Sequence, residues 1–540
     1  MKPSHLYWVS QELARNQSTY DKAGNTFAED ADEGGVAGRG AASADFAGAY
    51  DPLIQGYLEL WARSVVSIGG ASTGFTVTAN NYRAADHHSN PKAKGDPPRQ
   101  EPPHVIEKPP NYPEPSSVLF GGDDGDDTDL RDLFGEIGDL EGKIIEAVLE
   151  KVKGLTRLSD VFPWADADEL DGLAETWRTA GTAAKGTGRK CDDTIAYITN
   201  SANDEWQQAM RQFTRSLWGT TAWGKDQGGL QYGHGRVNAG ATDQPILEVL
   251  DRSATTAASS CESVASAVRK LKGEVKRILW DAVKATAREL LDFDVIEKLE
   301  MLAGGAAKVI AIFLEKLDHE ALDAAVSAYE TALRNEVGDL KTRIDDIDEA
   351  TTSAPTFNAE VARSQAYGAR SLHEFRTERH YAVPGEDKRD HFFPIDLASE
   401  EGIHGSHPLD RHVGKTEEQL AQRLRDQPGI TAASSFKTTE SAQRLTQAVL
   451  DDVDNAEKIE RWIARVENRE RAGSRRDPET STNEFELEFD HPTGISISRS
   501  EYNQHGTSAQ AVEVDKVTVQ LRYKKGLDPP FVVLTSMPSS

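Results

Sequence analysis

A histidine, a lysine and an arginine fall within twelve residues in the run Leu409-Asp-Arg-His412-Val-Gly-Lys415-Thr416 and the Arg423 that follows it. Cleaving RNA without a metal needs a base for the 2′-hydroxyl proton and an acid for the leaving 5′-oxygen. It also needs cations for the charge on the phosphorane. Histidine titrates near neutrality and serves in either proton role. Gly414 would let backbone approach a phosphate, and the planar fork of Arg423 suits phosphate oxygens. The same spacing also fits a polar loop ahead of a helix, and spacing alone does not separate the two.

These residues have to be positioned by what surrounds them. Thr416-Glu-Glu-Gln419 is a capping box that opens a helix through Leu420 and Leu424, which would bring Arg423 alongside. Further helices are expected over about Thr439 to Val449 and Ala456 to Val466. Strand-like segments follow at 484–489, 494–498, 516–523 and 531–535. The alternation in the first three is that of an antiparallel sheet with one wet face. Helices first and sheet last make a small α+β domain over 401–540.

The rest of the chain reads as mostly α-helical. At 540 residues it exceeds one ordinary core. A first helical segment is expected over 1–88. Its apolar stripe includes Tyr50, Leu53, Tyr57, Leu60 and Trp61, and Asp51-Pro52 reads as a helix start. Residues 89–128 are rich in Pro and Asp and read as a linker. A helical bundle is expected over 129–350, from apolar positions at three- and four-residue spacings beginning at Leu130, with a break at Phe162-Pro163 and a Gly-rich interruption from Gly228 to Gly240. Residues 351–400 lose the period and gain prolines, which reads as a second linker.

The formal charge of −28 argues against a protein that coats nucleic acid or an anionic membrane. It is unevenly spread: residues 405–540 carry 18 Lys/Arg against 22 Asp/Glu, so the acidity belongs to the first 404 residues. A near-neutral tail is free to present a local basic cleft to RNA. Cys191 and Cys261 form no framework or zinc spacing and read as buried thiols. No signal peptide is visible, and the apolar run Val309 to Leu314 is too short to span a bilayer. Gly181-Thr-Ala-Ala-Lys-Gly186-Thr187 lacks the Lys-Ser/Thr of a phosphate-binding loop. Asp123 to Asp129 lacks the glycine and glutamate placement of a calcium loop. His87-His88 and His404 with His407 have no suitably spaced partners. No cofactor or metal set is expected.

Leu409-x-x-His412-Val-Gly-Lys415-Thr416, Ala432-Ala-Ser-Ser-Phe436 and Val533-Leu-Thr535-Ser-x-Pro538 resemble the bacterial RNase A-like toxin domain at the C-terminal tips of contact-dependent inhibition and other polymorphic toxins. The resemblance spans roughly residues 400–540. It implies a disulfide-free RNase A-like fold, metal-free RNA cleavage and a dedicated immunity protein as partner. It gives His412 the family histidine's place, Arg423 the arginine's and Thr535 the last-strand threonine's. Where the family ends in Thr-x-Tyr, this chain has Thr535-Ser536-Met537, and a thioether donates no proton. Tyr523, Tyr502, His505 and His491 are the substitutes considered. Tyr50 to Trp61, Asn80-Asn81-Tyr82 and Leu217-Trp218-Gly219 resemble WXG-type helical modules of type VII-secreted effectors. That implies export with a secretion apparatus or chaperone and action in a target cell's cytoplasm. The rival readings are a non-enzymatic interaction protein with a degenerate toxin tail, favoured by Met537, and a different nuclease such as a DNase.

Overall fold

The computed structural model describes residues 2–121, 157–199, 246–292, 306–373 and 385–540, with isolated positions within 141–148 and at 381 and 383. Trp218-Gly219, the Gly-rich stretch from Gly228, the acidic run Asp123 to Asp129 and the helix start at Leu130 lie outside the described residues.

The long helices are α1 (Pro3–Asp30), α2 (Ala41–His88), α3 (Ala167–Thr199), α4 (Ile246–Asp292), α5 (Ala306–Lys316), α6 (His319–Ser353) and α7 (Phe357–His373). Aromatic side chains tie the first three together. The Tyr20 and Trp61 rings stack with centroids 4.3 Å apart. Trp177 packs edge-on against Tyr57, 4.9 Å away, and donates its indole N–H to the Tyr50 hydroxyl at 2.7 Å. Both thiols, Cys191 and Cys261, are free and buried, as expected from their spacing.

Two expectations change. Asp51-Pro52 does not start a helix, because α2 begins eleven residues earlier and runs through Pro52. The missing backbone donor and the ring clash cost a helix interior about 3 kcal/mol. Here they are outweighed by burial of Leu53, Tyr57, Leu60 and Trp61. Residues 351–400 are not an extended connector either. Helix α7 fills their first half, packed on α2 through glycines: a Cβ on Gly74 would come within 2.2 Å of the Ser364 Cβ, and one on Gly368 within 2.0 Å of the Thr78 side chain. Their second half is fastened to the C-terminal region, where the Ile395 and Leu397 backbone N–H groups donate to Gln447 and Gln443 at 3.0 and 2.9 Å. The glycine run at 181–187 lies inside α3 and forms no loop.

The C-terminal region is α+β. It comprises α8 (Glu417–Asp426), β1 (Ala432–Ser435), α9 (Thr439–Asp451), α10 (Val453–Arg471), β2 (Thr482–Glu488), β3 (Gly494–Ser498), α11 (Arg499–His505), β4 (Val512–Val514), β5 (Lys516–Tyr523) and β6 (Phe531–Ser539). The strands form two antiparallel sheets, β1-β3-β4 and β2-β5-β6, instead of a single one. Strands β1 and β4 are too short to show alternation in sequence. Trp462 of α10 packs its ring against Phe485, Tyr523 and Phe531 of the second sheet. Leu420 and Leu424 of α8 share a smaller core with Ala433 and Ile497 of the first. Between Gln520 and Leu521 the β5–β6 register slips, leaving Leu534 unpaired in the ladder.

Candidate active site

The stretch from Glu400 to Thr416 links the two sheets. Leu409 and Val413 are both 1 % exposed and anchor it in the main core. On one side it grips β6. The Glu400 carboxylate accepts from Val533 N, Ser406 Oγ donates to the Val533 carbonyl, and His407 N donates to the Leu534 carbonyl at 3.0 Å. The bulge at Leu534 frees that carbonyl, a common device beside active sites. On the other side it grips β1: Phe436 N donates to the His412 carbonyl at 2.7 Å and Gly414 N to the Phe436 carbonyl at 2.9 Å. The Glu401 carboxylate accepts from Leu409 N and Asp410 N, which fixes the turn just before His412.

His412 is 2 % exposed, and its Nδ1 lies 3.2 Å from the Ser434 carbonyl oxygen. A carbonyl only accepts, so Nδ1 carries the hydrogen and Nε2 keeps its lone pair. Burial, and then the Arg423 charge and His407, hold this imidazole well below the ordinary histidine range. It is therefore a neutral acceptor at physiological pH. Arg423, one turn from the end of α8, donates from Nη1 to the Arg411 carbonyl at 3.1 Å. Burial and the Arg411 charge lower it to about 10. Lys415 donates its backbone N–H to Ser435 Oγ at 2.9 Å, and its Nζ is sequestered from solvent. Burial pushes that ammonium down to about 7 against the pull of the Asp410 carboxylate. Lys415, Arg411, Arg423 and Asp410 line one cavity with room for water-sized occupants of only about 30 Å³, the volume of roughly one water.

The structure thus places Lys415 and Arg423 around one small cavity and His412 within the field of Arg423. Thr535 sits on β6 opposite Gln520, its hydroxyl buried and without a hydrogen bond. The strand that carries it is tied to the Glu400–Thr416 stretch through Val533 and the Leu534–His407 backbone bond. Met537 pairs with Thr518 on β5. Of the considered substitutes, Tyr523 is buried against Trp462, Tyr502 lies under the Arg499 guanidinium, His491 faces Asp490, and His505 lies on α11 near Glu501. None of these contacts reaches His412. His407 stands nearer the candidate site: its backbone N–H is bonded to Leu534 of β6 and its Nε2 lies 3.4 Å from Arg411 Nη1. Burial and Arg411 hold His407 down to about 4. Sequence reasoning set His407 aside because its partners, Leu534 and Arg411, are identified only by the fold. Among the described residues, no group of three or more His, Cys, Asp or Glu side chains converges as a metal site.

A neutral imidazole acceptor in the field of Arg423, and a small cavity lined by Lys415 and Arg423 on the same α+β scaffold, have the chemistry to take a proton and to balance an anion. Residues 406–538 match the family model described as the bacterial CdiA-CT RNAse A domain. Among solved structures, the chain is similar to that in the crystal structure of a CdiA-CT/CdiI complex from Y. kristensenii 33638, at 25 % identity over 24 % of this chain and 96 % of that chain, with a TM-score of 0.19. No curated protein matches the chain. The C-terminal stretch is therefore similar to a ribonuclease-type CdiA-CT domain.

Proposed function

We propose that this chain is a bacterial toxin whose C-terminal region cleaves RNA by metal-free transphosphorylation to a 2′,3′-cyclic phosphate. The observation that carries this reading is His412: inside the stretch matched by the family model, its Nδ1 is committed to the Ser434 carbonyl and its Nε2 is left as a base. In this reading Nε2 takes the 2′-hydroxyl proton. Lys415 and Arg423 hold the scissile phosphate and balance the charge of the phosphorane, and Thr535 hydrogen-bonds phosphate or base. Lys415, whose ammonium burial pushes down to about 7, donates a proton to the leaving 5′-oxygen in this reading.

The partners that follow are RNA, a cognate immunity protein and the export route of the helical part. The solved relative's printed title pairs a CdiA-CT with a CdiI, which favours an immunity partner here too. Export as a WXG-like effector, with action in a recipient's cytoplasm, rests on the aromatic stripe of α2. No helix of the described residues is long and apolar enough to cross a membrane.

The test is expression in bacteria of a fragment beginning at residue 385, since Ile395 and Leu397 belong to the C-terminal core. Total RNA is expected to be degraded, with fragments ending in cyclic phosphate, and DNA to be spared because it has no 2′-hydroxyl. Intact RNA from a folded fragment, or equal cleavage of DNA, would overturn the reading.

A further inference from the structure

The phosphate-handling side of this site is covered by the chain's own residues 354–363. Thr356 Oγ1 donates to the Gly414 carbonyl at 2.5 Å, and Gln419 Nε2 donates to the Ala354 carbonyl at 2.7 Å. Gly414 has φ +66, and a Cβ there would come within 2.6 Å of Ala359 N and 3.0 Å of the Asn358 backbone. The glycine that would let backbone approach a phosphate is therefore in contact with the first turn of α7.

Two charged side chains of α7 enter the same place. Glu360 is completely buried and Arg363 is 2 % exposed. Glu360 Oε1 accepts from Arg363 Nη1 at 2.9 Å, and Arg363 Nε lies 3.7 Å from Asp410 Oδ1, two residues from His412. The Glu360 carboxylate and the Lys415 ammonium lie in each other's field. An ionisable acid without solvent is costly unless a cation pairs with it, and Arg363 on the same helix is that cation. The cavity left beside Lys415 and Arg423 has room for water-sized occupants of about 30 Å³. Helix α7 is locked on α2 through Gly70, Gly74 and Gly368, with Glu360 Cβ at the Gly70 contact, while its Ala362 and Ala366 join the C-terminal core, so the cover bridges the two parts.

We infer that residues 354–363 are an intramolecular plug: they close the C-terminal site by packing the first turn of α7 on the Gly414 turn and by setting the Glu360–Arg363 pair beside Asp410, which lines the same cavity as the cations that would otherwise hold a substrate phosphate. This deepens the nuclease reading and rests on it for the identity of the displaced ligand. The plugged chain is the stored form, and separating α7 from the Gly414 turn opens it.

The experiment uses the full chain, wild type and with Glu360→Gln or Ala359→Arg, the latter forcing a long side chain into the Gly414 contact. Two readouts are taken: cleavage of a fluorogenic RNA, and acylation of individual lysines by an N-hydroxysuccinimide acetate, followed by mass spectrometry, with exposed Lys437 as internal standard. In the wild type Lys415 is expected to be protected relative to Lys437. At least one variant is expected to expose it and to raise cleavage about tenfold or more, as a shift towards an open population requires. Adding His412→Ala to that variant is expected to return cleavage to background. Lys415 acylated at the pace of Lys437 in the wild type would overturn the plug, as would unchanged labelling and cleavage in both variants. Labelling that rises without cleavage would uphold the plug and sink the nuclease reading.

Discussion

His412 owes its chemistry to two bonds of its neighbourhood, the Ser434 carbonyl on Nδ1 and the backbone link from Phe436. In the proposed reading, replacing it by alanine removes the base and its bond to the Ser434 carbonyl of β1, while the backbone link to Phe436 stays. His412→Ala is expected to lower cleavage by about 10²- to 10⁴-fold, the usual contribution of a positioned base, with the circular dichroism spectrum unchanged. Cleavage is expected to persist in EDTA, and inhibition by the chelator would count against the metal-free mechanism. A second expectation concerns acid. Both His412 and His407 are held below their ordinary range, so the unfolded chain binds their protons more readily than the folded one. Stability from these groups is fully present above about pH 6.5 and is lost as pH falls from there towards the folded values. Denaturant unfolding of the C-terminal region at pH 7.5 and pH 5 should show this loss, and His407→Gln should shrink it. His412, Lys415 and Arg423 could be proposed from the sequence because they lie close along the chain. His407 and Glu401 were not, since what makes them matter is Leu534 and the turn at Leu409.

Helix α8 and the Gly414 turn are the local devices that aim these side chains. The capping box at Thr416 is present in full, with Thr416 Oγ1 accepting from Gln419 N and the Gln419 side chain accepting from Thr416 N. Thr416→Ala is expected to cost about 1 kcal/mol, read as a lower denaturation midpoint, and to loosen Arg423 on the same helix. The sequence signal for this cap was specific, as were those for β3 and β5, whose observed limits are those the alternation implies. The start of α2 was misread because an Asp-Pro pair is a local signal, whereas burial along both flanks of the helix is a tertiary one. Helix α7 was missed for a related reason: its alanines and single glycine, Gly368, give little periodicity, yet with Gly70 and Gly74 of α2 they are what let the two helices approach.

Across the molecule, α7 is the piece that couples the helical part to the site, with α2 on one side and the Gly414 turn on the other. Gly74→Val would drive side-chain atoms into Ser364, which already lies 2.2 Å from the position of a Cβ. It is expected to destabilise the chain by about 1 to 3 kcal/mol, as overpacking does, seen as a lowered melting temperature. In the plugged reading it should also raise RNA cleavage by the intact chain. The acidic balance of −28 fits this arrangement: the helical part carries nearly all of it and repels a polyanion, while the tail is near neutral.

Local order in the chain was enough to specify a helical N-terminal part, a compact α+β tail, most helix and strand positions in that tail, and the histidine, lysine and arginine of the site. Those features depend on periodicity, caps and near-neighbour spacing, which are written along the chain. The division into two sheets, the role of His407 and the cover laid by Glu360 and Arg363 depend on groups far apart in sequence. Only packing brings them together, because a buried charge or an unpaired carbonyl finds its partner wherever the fold delivers one.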